Sequence, residues 1–361
     1  MDSFSCATNI ISGPGSLSRL GQLGIRKALL VSDPFFVKNG TAKRLLALSG
    51  AAQTKIFDGV TPDPSVELAA EGTAVLKEFQ PDSLIALGGG SAMDCAKAMA
   101  YFANTPVRLI MVPTTSGSGS EVTDFAVLTH KGVKHPLVDE KLRPEVAILD
   151  SELLKALPKS LIADTGFDVL SHAMEAYVAK GATAFSDALA KDAFGAAFSL
   201  LPASYAGNEA VRQRIHEAST MAGMAFTRAG LGLCHALAHT LGGAFHVPHG
   251  RLNAILLPAV LERNSHLCAA KYAALARAAG LGSSADTLAV RNLKNGLVRL
   301  RRELGLPATL REAGIDPRQV WYSASALVKD TLADPCCRDN PLSVEDFMVK
   351  SILEEVSGRG E

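Results

Sequence analysis

The chain has 361 residues, 48% of them hydrophobic, and its 36 Lys and Arg balance 36 Asp and Glu. That length suggests two domains with sizeable cores, and a net charge of zero without a basic stripe argues against a nucleic-acid partner. The opening MDSFSCATNIISGPG is not read as a signal peptide, and no apolar run reaches the ~18 residues of a membrane span, so a soluble cytoplasmic protein is expected.

The first half alternates strands and helices. Residues 27–33 (KALLVSD) form a short apolar run ending in an acid, the pattern of a buried strand. A helical stretch at 41–50 and a strand at 54–60 follow. After Pro62 and Pro64, helical spacing covers 65–79, with Ser65 as N-cap. Then come an apolar strand, three glycines and a helix (DSLIALGGGSAMDCAKAMAYFA), and a strand, a Gly/Ser/Thr loop and an outer strand (RLIMVPTTSGSGSEVTDFAVLTH); residues 146–150 close the series. This alternation predicts an α/β domain with a mostly parallel sheet. From Pro158 onward Ala/Leu-rich helical patterns dominate: 160–180, 184–202, 209–228, 231–241, 251–262, 268–279 and 286–304, with a last helix capped by Ser343. The boundaries expected are 1–156 for the α/β domain and 157–361 for an all-α domain.

Two loops in the first half suit a phosphate. GGGSAMD (88–94) lies between a strand and a helix, where glycines admit close approach and the helix start offers free N–H groups to an anion. TTSGSGSEVT (114–123) is weaker alone and is not a P-loop, since no Gly-Lys-Ser/Thr follows. Gly13-Pro14-Gly15 imitates a dinucleotide fingerprint but precedes the first clear strand and lacks the third glycine. Asp33, at a strand end, suits the adenosine ribose hydroxyls and repels a 2′-phosphate, favouring NAD over NADP; a helix cap is the plainer alternative.

Residues 231–250 hold four of the nine histidines. On a helix over CHALAHTL, His235 and His239 share one face a turn apart. Gly242-Gly243 is expected to end that helix, and a turn through Pro248 to bring His249 back. Upstream, Asp168 and His172 are also four apart. A carboxylate with imidazoles suits Zn or Fe(II), though sequence alone does not bring the distant helix to the other histidines. HALAH lacks the glutamate of a zinc protease. Cys234 points about 100° away from His235 on such a helix. The six cysteines form no CxxC pair and read as reduced thiols; for adjacent Cys336 and Cys337 no chemistry suggests itself.

Together these pieces resemble the iron-containing (group III) alcohol dehydrogenase family over nearly the whole chain: GPGSLSRLG, GGGSAMDCAK, PTTSGSGSEVTDFAV, KHPLVDEKLRPEVAILD, GFDVLSHAMEAYV, GLCHALAHTLGGAFHVPHGRLNAILLP and DNPLSVEDF. The resemblance implies a dinucleotide-binding α/β domain, an all-helical metal-binding catalytic domain and an active site in the cleft between them. It implies Asp168, His172, His235 and His249 as metal ligands. It implies His239 as the histidine beside metal and nicotinamide that handles the proton. For the cofactor it implies Asp33 at the ribose, Gly89, Gly90, Ser91 and Asp94 at the pyrophosphate, and Thr114, Thr115, Ser118, Thr123 and Lys134 along the dinucleotide. Phe125 and Phe226 match the substrate end. The departures are slight: GFDVL for GMDAL and NPL for NPR. The activity implied is NAD(H)-dependent oxidation of a small uncharged alcohol or reduction of its aldehyde, with iron, or zinc as the alternative metal, in a homodimer. The chain looks similar to the propanol and ethanol dehydrogenases associated with bacterial microcompartments. A metal- and NAD-dependent lyase or cyclase of the dehydroquinate synthase kind shares this fold. It acts on a phosphorylated sugar, whereas AGMAFTRAGLG and HALAHTLGGAFH offer only Arg228. A non-enzymatic metal or nucleotide binder leaves the complete ligand set and glycine loop unexplained.

Overall fold

In a computed structural model, residues 4–130 and 133–358 are described. The chain divides into two compact units, residues 5–157 and residues 158–358 together with Phe4.

The first unit holds strands β1 (Asn9–Ser12), β2 (Lys27–Ser32), β3 (Gln53–Phe57), β4 (Ser83–Gly88), β5 (Arg108–Pro113), β6 (Phe125–His130), β7 (Val133–Val138) and β8 (Val146–Leu149), with helices α1 (Pro34–Lys38), α2 (Thr41–Ser49), α3 (Val66–Phe79) and α4 (Gly90–Ala103). Six strands form one parallel sheet in the order β1-β8-β5-β4-β2-β3, while β6 and β7 pair as an antiparallel hairpin. All six residues of β4 are buried. Its side chains alternate between two cores: Ile85 and Leu87 pack with Leu20, Leu30 and Leu45, and Leu84 and Ala86 with Leu29, Met93 and Met99. A sheet covered on both faces explains why its strands are continuous apolar runs. Ser65 caps α3 as expected, accepting from the Leu68 amide at 3.0 Å. Strands β1 and β7 were not foreseen.

The second unit is helical: α5 (Lys159–Val178), α6 (Ala184–Tyr205), α7 (Arg212–Ala229), α8 (Leu233–Phe245), α9 (His249–Ala278), α10 (Asp286–Glu303), α11 (Pro317–Ala333), the short α12 (Cys336–Asp339) and α13 (Asp346–Val356). Three expectations are corrected. Helix α8 runs through Gly242-Gly243 to Phe245, because His246 takes the left-handed capping position (φ 56°) and its amide bonds the Gly242 carbonyl. The stretches 251–262 and 268–279 form one helix, kinked at Cys268 (φ −108°, ψ 18°). Glu345, not Ser343, stands at the N-cap of α13.

Helices α5 and α9 meet backbone to backbone at Gly250: a methyl group there would stand 1.9 Å from the Asp164 carbonyl oxygen. Arg251 fastens the same crossing, its Nη2 lying 2.9 Å from Asp164 Oδ2. Gly250→Ala should therefore push the start of α9 off α5, destabilising the protein by about 1–3 kcal/mol or more. Thermal unfolding checks this, and an unchanged midpoint would contradict the close approach.

Candidate active site

The parallel sheet has a topological switch point between β2 and β4, where successive strands depart in opposite directions. Ligands of such sheets bind there, at the strands' C-terminal ends. Asp33 follows β2 and the glycine loop follows β4. Gly88 has φ +154°, and a methyl group on it would stand 2.6 Å from Ala92 Cβ, so only glycine fits the turn. The N-cap of α4 is Gly89, with no side-chain cap, and the amides of Gly90 and Ser91 precede the first intrahelical bond. They are the groups an anion would find. The loop after β5 folds against this turn: the Thr114 amide donates to the Gly88 carbonyl at 2.9 Å, and Thr115 and Ser118 come within 3.1 Å of where Cβ atoms on Gly89 and Gly90 would lie.

Asp33 does cap a helix. Its Oδ1 accepts from the amides of Phe35 (2.8 Å) and Phe36 (3.3 Å), while Oδ2 lies toward Gly88. Asp94 and Thr123 stand beneath the loops. Asp94 accepts from Ser120 Oγ (2.7 Å) and the Val127 amide (3.0 Å). Thr123 is fully buried and accepts from Lys97 Nζ at 2.9 Å. Lys97, which the sequence did not single out, also donates to the carbonyls of Thr123 (3.0 Å) and Phe125 (2.9 Å). Burial brings its ammonium down to about 8, although Asp94, Glu121 and Asp124 favour the charge. Lys134, on β7, pairs with Asp63 at 2.7 Å.

The helical unit holds the metal candidates. Asp168, His172 and a third residue, Glu175, occupy one face of α5 at i, i+4 and i+7. His235 and His239 lie on α8, and His249 is the first residue of α9. One oxygen, Asp168 Oδ1, lies 3.5 Å from His249 Nε2 and 3.9 Å from the Nε2 atoms of both His172 and His235. Donor atoms of Asp168, His235 and His249 all fall within 4.8 Å of one another. His172 stacks on His235 (centroids 4.5 Å) and on Phe226 (4.4 Å). Asn253 Nδ2 donates to Asp168 Oδ1 at 2.9 Å.

Glu175 explains the pose of His235. Its carboxylate accepts from the amides of Gly232 (3.0 Å), Cys234 (2.7 Å) and His235 (3.3 Å), and from His235 Nδ1 at 2.6 Å. A carboxylate accepting from three amides leaves Nδ1 as the protonated nitrogen, so the Nε2 lone pair faces Asp168. That Nε2 is buried without a hydrogen-bond partner. Burial, and then the neighbouring His172 and His239, holds the imidazole well below its usual pKa and therefore neutral. A neutral imidazole whose second nitrogen is oriented by a carboxylate is how proteins present histidine to a metal. Burial raises the Glu175 carboxyl to about 7, against the pull of the three amides and His172. The donor set thus fits a divalent cation of the Fe(II) or Zn kind.

His239 differs. Its Nδ1 meets Asp334 Oδ2 at 2.9 Å, and its side chain is 30% exposed against 1% for His235. Cys234 turns away from the cluster, its Sγ 3.8 Å from the Asn253 carbonyl. Phe125 belongs to the α/β unit and Phe226 to the helical one. Among the residues not foreseen, Glu175 had a signal, an acid at i+7 from Asp168 and i+3 from His172 on the same helix face; Asp334 and Asn253 had none.

Comparison with known proteins places the chain in a family. Residues 7–151 match the family described as iron-containing alcohol dehydrogenase, and residues 162–357 its C-terminal part. The chain is 39% identical to a 1-propanol dehydrogenase of Citrobacter freundii over 99% of its length and the whole of that protein. It is 36% identical to an NADPH-dependent butanol dehydrogenase of Clostridium saccharobutylicum, covering 97% of each. The crystal structure of a sulfoacetaldehyde reductase from Bifidobacterium kashiwanohense in complex with NAD+ superposes with a TM-score of 0.90 at 28% identity, over 99% of both chains. The chain belongs to the iron-containing alcohol dehydrogenase family.

Proposed function

We propose that the protein interconverts a short, uncharged primary alcohol and its aldehyde with NAD(H), using iron held by Asp168, His172, His235 and His249. The observation that carries the reading is the convergence on Asp168 Oδ1, with His235 Nε2 buried, neutral and aimed at it. When bound, the metal supplies Lewis acidity toward the substrate oxygen and the nicotinamide supplies or takes the hydride. The chain's own residues do the rest. Glu175 fixes the tautomer of His235, and Asn253 steadies Asp168. His239, oriented by Asp334 and partly exposed, carries the proton between substrate and solvent. Phe226, stacked on His172, offers an apolar wall suited to a short aliphatic substrate.

Residues 1–156 are proposed as the dinucleotide-binding domain, with the Gly89, Gly90 and Ser91 amides on the pyrophosphate. Thr114, Thr115, Ser118 and Lys134 are placed along the nucleotide, and Asp94 and Thr123 beneath it. Asp33, already a helix cap, keeps one oxygen for the ribose, which favours NAD. A homodimer, zinc as a substitute metal and a microcompartment setting complete the proposal; the likeness to a 1-propanol dehydrogenase supports the substrate class. The lyase reading, which needs cations for a phosphorylated sugar, has no observation in its favour.

The test is anaerobic purification, metal analysis, and NADH oxidation with acetaldehyde and propionaldehyde before and after chelation and Fe(II) reloading. Metal-dependent turnover is expected; bound metal without turnover on short aldehydes would overturn the reading. In the same assay Asp168→Ala should lose the metal, while His239→Ala keeps it and loses roughly 10²–10⁴ in kcat. Loss of metal from His239→Ala would make His239 a ligand. Glu175→Gln leaves the side-chain shape but offers N–H where Cys234 or His235 also donates. Metal affinity should drop by about 10- to 100-fold; wild-type affinity would remove Glu175 from its orienting role. Asp33→Gly should raise kcat/KM with NADPH relative to NADH, and an unchanged ratio would place the coenzyme choice elsewhere.

A further inference from the structure

Beside the four proposed ligands lies a second cluster that shares none of them. Donor atoms of His239, Asp334 and Cys336 lie within 4.8 Å of one another. Two features hold them in place. Asp334 ends α11 and turns the chain, its Oδ1 accepting from the Cys336 amide at 2.8 Å and its Oδ2 facing His239 Nδ1 at 2.9 Å. Six residues on, Asn340 clamps the segment to the start of α8, accepting from the Leu233 amide (3.2 Å) and bonding Asn264 in both directions (2.9 and 3.1 Å). The adjacent cysteines diverge. Cys337 Sγ turns back to the Thr331 carbonyl at 3.0 Å, leaving Cys336 alone with the histidine and the acid. All three residues are of intermediate burial, and the His239 side chain is 30% exposed.

We infer that His239, Asp334 and Cys336 form a second metal site, selective for thiophilic divalent cations of the zinc and cadmium class. One thiolate, one imidazole and one carboxylate, with water, make up a four-coordinate set for such ions, and the sulfur disfavours magnesium and calcium. Ligand bonds of about 2.0–2.3 Å require the donors to draw inward by small side-chain rotations. On binding, the Cys336 thiol releases its proton to solvent, and the His239 proton now shared with Asp334 moves to the other ring nitrogen, freeing Nδ1 for the ion. Burial and the Asp334 charge hold the Cys336 thiol protonated in the absence of an ion, and a divalent cation is what reverses that balance. Occupation would take His239 out of proton transfer, making the site inhibitory; this consequence, unlike the binding itself, rests on the proposed function.

The test uses Co(II) added anaerobically to the iron-loaded enzyme, followed by near-ultraviolet absorption. The four proposed ligands include no sulfur, so cobalt exchanging into that site gives no thiolate-to-cobalt charge-transfer band. One equivalent of that band is expected in the wild type, lost in Cys336→Ser and retained in Cys337→Ser. Absence of the band, or its persistence in Cys336→Ser, would overturn the site. X-ray absorption of the cobalt in the wild type, expected to include one sulfur ligand, decides the matter should Cys336→Ser fail to fold. In parallel, zinc should inhibit NADH oxidation, with Cys336→Ser less sensitive by roughly tenfold or more. The band without inhibition would keep the site and remove His239 from proton transfer; equal inhibition of wild type and Cys336→Ser would place the inhibitory zinc at the iron ligands.

Discussion

A single buried carboxylate fixes the helical unit's chemistry. Glu175 is almost wholly buried and accepts four N–H donors, three from the first turn of α8 and one from the His235 ring. A buried charge costs several kcal/mol unless its hydrogen bonds are made, so these four bonds stand or fall together. The start of α8, which has no side-chain cap of its own, supplies orphan amides and the positive end of a helix dipole. Glu175 answers both needs. In doing so it sets the register of α8 against α5, and with it the positions of His235 and His239.

The same logic places the remaining histidine. Helix α9 begins at His249, and its next four residues carry three ties to α5: the bare backbone of Gly250, the Arg251 pair with Asp164, and the Asn253 bond to Asp168. No tolerance is left for α9 to slide along α5. Helix α5 is therefore the reference for every proposed ligand, carrying two itself, holding His235 directly through Glu175 and locating His249 by contacts within the next turn.

Much of this was legible in the sequence because it is periodic or local. The apolar runs of β2, β4 and β5, the Ser65 cap, the glycines after β4 and the four-residue spacings of Asp168/His172 and His235/His239 all depend on neighbours within a few residues. What escaped depends on distance. Glu175 meets His235 across 60 residues and Asp334 meets His239 across 95, and no local pattern reports such pairings. Lys97 looked like one more polar residue on a helix until the chain beyond β5 returned to bury it. The end of α8 was misplaced because a glycine pair inside a helix costs only about 1 kcal/mol per residue, and His246 provides the left-handed stop three residues later.

His235 and His239 show how far identical spacing is from identical surroundings. Both sit on one face of α8, a turn apart, and each faces a carboxylate through Nδ1. The difference lies in what surrounds the ring. His235 is sealed from water, and its Nε2 lone pair has no hydrogen-bond donor to satisfy it; an ion is the partner that fits. His239 keeps part of its ring in contact with solvent, which a residue must have if a proton is to arrive and leave. Burial, set by where α5 and α11 cross α8, thus gives these two rings of one helix different surroundings, and the roles proposed for them follow that difference. The carboxylate behind each ring suits the role proposed for it: Glu175 locks one tautomer in a dry site, and Asp334 orients a ring that remains in contact with solvent.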